Sequence, residues 1–163
     1  MRVCGQIDVA APPELVWRHI ADAERAAAFL QGITRWEVVG DQREGVGTRL
    51  RMLMRVGSAE IGGLVEVVEW DPGRDFAWVS VLGIDQRGRW RLRARSERRT
   101  HVELRLSYGV AGAGLFGWLA ERIGGPTVRN HLQRSVRELK RRVEHEQLVE
   151  QAAARRRERA RVA

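Results

Sequence analysis

Residues 126–143 read PTVRNHLQRSVRELKRRV, and this stretch decides the architecture. Val128, Leu132, Val136, Leu139 and Val143 recur at steps of four, four, three and four, the spacing of one α-helical face. Arg129, Arg134, Arg137, Lys140 and Arg141 fill much of the remaining circumference. At 1.5 Å per residue such a helix is roughly 25–30 Å long, about the width of a small domain. A rod of that length with one apolar stripe needs a surface to lie on. What precedes it is almost all of strand character, so the pattern predicts a sheet wrapped around this helix.

At the other end of the chain, Val3, Gly5, Ile7 and Val9 alternate with Arg2, Cys4, Gln6 and Asp8, a strand with one buried face. Ala11-Pro12-Pro13 ends it and opens a short helix, where a proline loses nothing in the first turn and Glu14 suits the helix dipole. Trp17, Ile20 and Ala21 give that helix an apolar side. Asp22 predicts the N-cap of a second brief helix through Ala26–Ala28 towards Phe29, stopped by Gln31-Gly32.

From Ile33 the period falls to two. Strands are predicted over 33–39, 48–55, 59–70, 76–82, 87–95 and 102–108, with Phe76, Trp78, Ser80 and Leu82 sharing one face. Gly57-Ser58 and Asp71-Pro72-Gly73 read as tight turns, and Gly62-Gly63 as a bulge or sharp bend. Short connections of this kind imply an antiparallel meander. Gly109–Gly117 is a glycine-rich connection. Leu115, Trp118, Leu119 and Ile123 then suggest a helical lead-in, broken at Gly124-Gly125-Pro126 before the long helix.

One domain is expected for 163 residues, with 44% hydrophobic residues sufficient for a core. We place it at residues 1–146. Residues 147–163 form a charged extension, either helical or a disordered tail. No apolar run approaches 18 residues, and the first residues enter a strand pattern with no signal core, so a soluble chain is expected. Cys4 is the single cysteine, which excludes an internal disulfide and a thiolate zinc cluster and fits a reducing, cytoplasmic location. The net charge of +8 rests on arginine, Lys140 being the one lysine. From Lys140 to Ala163 there are eight basic and four acidic residues, so half the excess sits in the tail. Such a tail offers a peripheral contact with an anionic membrane or with nucleic acid; the plain alternative is a solvated helix end.

A strand, two short helices, six further strands and a long C-terminal helix is the order of the helix-grip fold, class α+β. The sequence resembles the START-like (SRPBCC) superfamily, and within it the polyketide cyclase/dehydrase and lipid-transport group. The residues that carry this are Ala11-Pro12-Pro13-Glu14-Leu15-Val16-Trp17, Gly45-Val46-Gly47-Thr48, Glu66-Val67-Val68-Glu69-Trp70-Asp71-Pro72, Gly88-Arg89-Trp90-Arg91-Leu92 and Thr100-His101-Val102-Glu103-Leu104. They follow in order across roughly residues 2–145. The chain departs from its relatives at Ala26–Gly32, where many carry prolines and a tryptophan near the pocket mouth. The resemblance implies a curved seven-stranded antiparallel sheet around the long helix. Between them it implies a hydrophobic cavity for lipids, polyketides, quinones or similar molecules.

By strand parity Met52, Met54, Trp78, Trp90, Leu92, Leu106 and Tyr108 face the helix, and Val128 and Leu132 face back. These, with Ser80, His131 and Ser135, are the candidate ligand-binding residues. Methionine and tryptophan suit adaptable apolar pockets, although the same residues also simply fill cores. His131 and Tyr108 are the candidates for proton transfer, against the plain reading of His131 as a helix-edge residue. Arg87, Arg89, Arg91, Arg93 and Arg95 form an outward ladder, expected to pair partly with Glu103. Trp90 falls on the opposite face, so no aromatic platform accompanies the ladder and no specific nucleic acid is expected. There is no His-Glu-x-x-His, no Gly-x-Ser-x-Gly and no Lys-Ser/Thr after the glycines. We therefore expect no metal and no cofactor. The expected function is binding or carriage of a hydrophobic small molecule by a monomer or homodimer. The alternatives are a polyketide aromatase/cyclase or dehydratase, and an interaction module acting through the basic tail.

Overall fold

A computed structural model describes residues 2–109 and 114–162, with side chains over 2–109 and 126–161. The period-two segments form one sheet from β1 (Arg2–Val9), β2 (Ile33–Val39), β3 (Arg49–Val56), β4 (Ala59–Asp71), β5 (Asp75–Gly83), β6 (Asp85–Ser96) and β7 (Arg99–Gly109). The strand order is β1-β7-β6-β5-β4-β3-β2 and every pairing is antiparallel. Strands β2 to β7 are a meander of successive hairpins. The first strand instead lies beside the last, with Val3 opposite Leu106 and Ile7 opposite Val102.

Between β1 and β2 lie α1 (Pro13–Ala21) and α2 (Ala23–Ala27). The Asp22 carboxylate accepts the Arg25 backbone N–H at 2.9 Å, the cap expected from sequence. The period-3.6 segment is α3 (Gly114–Val162). It runs through Pro126 without ending, contrary to the expected break. A proline removes one N–H, and a helix this long accommodates the loss of one hydrogen bond. The helix also continues to Val162, well past the end of its apolar stripe. Residues 110–113 of the glycine-rich connection, and the side chains of the lead-in, lie outside the described residues. No helix among the described residues is long and apolar enough to cross a membrane.

All five stripe residues of α3 are buried. Their burial contributes roughly 7–15 kcal/mol as an upper bound. They face Leu50, Met52, Met54, Val65, Val67, Phe76, Trp78, Trp90, Leu92, Val102, Leu104 and Leu106 from the sheet. Glycine at position 5 lets the helix come close, since a Cβ there would meet the Leu132 backbone at 3.1 Å. Polar ties lock the contact: Lys140 Nζ donates to the Asp8 carbonyl at 2.7 Å, and the Ala10 N–H donates to Glu144 Oε1 at 2.8 Å.

The outer face of the sheet carries the arginines, as parity requires. Their acidic partners differ from expectation: Arg91 and Arg93 pair with Asp75, Arg89 with Glu69, and Glu103 with Arg105 on its own strand. Two local patterns also differ. Gly62 and Gly63 stay in register with β3, and the irregularities on the other edge of β4 fall at Leu64/Val65 and Val67/Glu69. The first of these upsets the alternation in β5, so Leu82 is 71% exposed instead of sharing the Trp78 face.

Candidate functional site

The inner surface of β3, β6 and β7 is built from long flexible or flat side chains, which tile a curved sheet imperfectly against a straight helix. The described residues leave two voids there. One, of about 20 Å³, is bordered by Leu30, Trp36, Trp78, Leu104, Leu132 and Ser135 among others. The second, of about 30 Å³, is bordered by Ile61, Ile84, Gln86, Tyr108 and Val128 among others. Met52, Met54 and Leu106 line both, so these three side chains form the wall between the two voids.

The voids bring together Met52, Met54, Trp78, Leu106, Tyr108, Val128, Leu132 and Ser135 from the sequence-derived set. Four members lie elsewhere. Trp90 and Leu92 are buried deeper in the core, Trp90 edge-on to Phe29 with centroids 6.0 Å apart. Ser80 is half-buried at the end of β5, where its Oγ accepts the Gln86 backbone N–H at 3.1 Å. His131 is half-buried at the helix edge, its ring over Gly32 in space that a Cβ would claim. Its carbonyl accepts the Ser135 hydroxyl at 2.8 Å, and Ser135 Oγ in turn accepts the Gln31 N–H at 2.8 Å. Ser135 thus clamps the end of α2 to α3. Sequence reasoning passed over Trp36, Leu30, Ile84 and Gln86. Gln86 had a signal, since it shares the inward parity of Gly88 and Trp90, but a glutamine beside an arginine ladder reads as solvated.

Among the described residues, neither void is bordered by Asp, Glu, Lys, Arg or His. The charged clusters lie outside. Buried His19 meets Glu146 at 2.7 Å where α1 and α2 touch α3, with Arg18 and Arg25 beside it. Burial works against the charged form of Glu146, yet the hydrogen bond to His19 together with the nearby charges of Arg25 and Arg18 outweighs it and holds the carboxyl below its ordinary range. This arrangement fastens helices together and borders neither void. What borders them is apolar surface with a few hydrogen-bonding groups, the make-up of a site for small hydrophobic molecules. Its volume is far below the roughly 300–1,000 Å³ of typical ligand sites, each void being large enough for about one water.

The fold has relatives of known structure. TTHA0849 from Thermus thermophilus superposes with a TM-score of 0.75 at 26% identity, over 88% of this chain and 97% of that one. The ZhuI aromatase/cyclase from Streptomyces sp. R1128 gives 0.68 at 22% identity, over 88% and 95%. A START superfamily protein from Mycobacterium smegmatis gives 0.65 at 16%, over 88% and 97%. No functionally curated protein matches the sequence. The pattern of one sequence family does, across residues 1–144, which include every strand and the whole apolar stripe of α3. By that match, on this fold, the chain belongs to the polyketide cyclase/dehydrase and lipid transport family.

Proposed function

We propose that the chain binds a hydrophobic small molecule between the sheet and α3, the two voids becoming one as Met52 and Met54 move aside. The observation that carries this is the lining: apolar, free of charged side chains among the described residues, and divided by a wall in which two of the three side chains are unbranched thioethers. Methionine has several rotatable bonds and changes rotamer at low cost, so a partition made of it can yield where packed valine or isoleucine would hold. Family membership and the helix-grip fold support the same reading.

Calorimetric titration of the purified protein with naphthalene derivatives tests this. Binding is expected, and Met54→Ala should tighten it by enlarging the space. Absence of binding by both proteins, with nothing released on organic extraction of the purified chain, would overturn the reading.

A cyclase or dehydratase reading rests on Tyr108, which borders the larger void and carries a hydroxyl able to donate a proton. The described residues that border the voids include no charged side chain to polarise a substrate. Binding is therefore the primary reading.

A further inference from the structure

We infer that the outer face of the sheet holds a second site, for a soluble phosphate monoester clamped between Arg2 and Arg87 across Ser107. It lies on the other side of the sheet from the hollow against α3 and does not rest on the binding reading above. The outer face carries a concavity of about 660 Å³, far larger than either inner void and within the roughly 300–1,000 Å³ of small-molecule sites. Its charged lining is Arg2, Arg87, Arg89, Arg91, Arg105 and Asp85. Strand pairing brings these side chains together. Ser107 of β7 stands opposite Arg2 of β1 on one side and opposite Arg87 of β6 on the other. Directly opposed residues project to the same face, so the three form one row with a hydroxyl between two guanidinium groups. The next row along is Arg89 opposite Arg105.

The arginines are not equivalent. Arg89 is paired with Glu69, Arg91 with Asp75 and Arg105 with Glu103. Arg2 and Arg87 are exposed and form no ion pair among the described residues. Asp85, the one acid in the described lining, stands a row beyond Arg87, opposite Gly109, and accepts the Ser80 hydroxyl at 3.5 Å. The charge of Arg2 and Arg87 is thus left for a partner from outside the chain. One guanidinium satisfies the edge of a carboxylate through two parallel hydrogen bonds. Two of them flanking a hydroxyl suit a tetrahedral anion with three terminal oxygens and a charge of about −1.5 to −2, a phosphate monoester. A diester offers two such oxygens and a single charge. Val79, opposite Arg87 on β5, and Val68, 47% exposed on β4, border the same concavity and give the organic part of the ester an apolar floor. A bilayer, flat on this scale, would meet the rim of the concavity and leave that floor uncovered, which favours a soluble ester over a lipid headgroup.

The test is calorimetric titration in phosphate-free buffer with phenyl phosphate, methyl phenyl phosphate and benzoate. Phenyl phosphate should bind about tenfold more tightly than either of the others, the increment expected of one further charge-assisted hydrogen bond. Arg2→Gln and Arg87→Gln should each weaken its binding about tenfold and leave the melting temperature unchanged, because both side chains are exposed. Arg95→Gln, on the same strand face but outside the concavity, should bind like the parent. No binding of phenyl phosphate, equal binding of the diester or the carboxylate, unchanged affinity in either Arg2→Gln or Arg87→Gln, or an equal loss in Arg95→Gln would each overturn the inference. Phosphatidic acid vesicles present the same monoester on a bilayer. Their capture without binding of phenyl phosphate would assign the two arginines to a lipid surface and overturn the soluble ligand. Each of these outcomes leaves the reading of the inner hollow standing, since its naphthalene probes carry no phosphate.

Discussion

The indole of Trp78 occupies the space that a side chain at Gly88 would need. The two residues are paired across β5 and β6, and a Cβ on Gly88 would lie closer to Cζ2 and Cε2 of the ring than any non-bonded contact allows. The ring is held further by Trp36 and Phe76, whose centroids lie 5.3 and 5.6 Å away. Gly88→Ala should therefore force Trp78 from its rotamer and lower stability by about 1–3 kcal/mol. Urea denaturation measures this. An unchanged midpoint would show that the ring has room to move.

Two leucines on the α3 stripe should separate packing from binding. Leu132 and Leu139 are both buried, and either change to alanine should cost about 2–5 kcal/mol. Leu132 borders the smaller void and Leu139 borders neither. Leu132→Ala should therefore bind 2-ethylnaphthalene more tightly than the parent, with Leu139→Ala unchanged by the same calorimetry.

Asp75 should dominate a portion of the acid limb of stability. Burial disfavours its charge, but hydrogen bonds from Arg93 at 3.0 Å and Arg91 at 3.3 Å outweigh burial and hold the carboxyl below its ordinary value. A group depressed on folding contributes fully above its unfolded value, about 3.9, and loses that contribution as pH falls through the lower folded value. Asp75→Asn should be less stable than the parent at pH 7, and the difference should shrink as pH falls below about 3.9 and through the lower folded value. Urea midpoints measured across that range provide the check.

Shortening the chain to end at Gln151 should leave its melting temperature unchanged. Among the described residues, the outermost tie of α3 to the body is the Arg18–Glu150 ion pair at 2.9 Å, and that pair would remain. The residues removed include five exposed arginines, Arg155, Arg156, Arg157, Arg159 and Arg161. Their loss should stay within about 0.5 kcal/mol. Co-sedimentation with phosphatidylglycerol vesicles at low salt should be weaker for the shortened chain, and equal sedimentation would remove the tail as a membrane contact.

Where polar and apolar residues alternate without interruption, the fold was legible from the chain itself. Arg87 to Arg95 against Gly88, Trp90 and Leu92 assigned both faces of β6, and the α3 stripe assigned the helix face that is buried. Parity failed in β5, because Val81 is passed over between the Leu64–Leu82 and Val65–Ser80 pairs, a bulge that depends on tertiary pairing. The break expected at Pro126 failed because the length of helix on either side outweighs one local breaker. Within the candidate site, the apolar wall was readable and the size of the hollow was not. That size depends on the rotamers of Met52, Met54 and Leu106, which no spacing encodes. Ser135, which borders the smaller void, also ties α3 to the turn after α2, through a partner, Gln31, that lies 104 residues away in the chain.

The placement of β1 has a consequence for how the protein is made. Its hydrogen-bonding edge is taken by β7, and its flat side is taken by α3 through Gly5 and Leu132. β1 therefore leaves the ribosome before either of these partners and must wait until both have been synthesised, several seconds at the usual pace of translation. Until then it offers an unpaired apolar edge to its surroundings, and protection from premature association has to come from outside the chain.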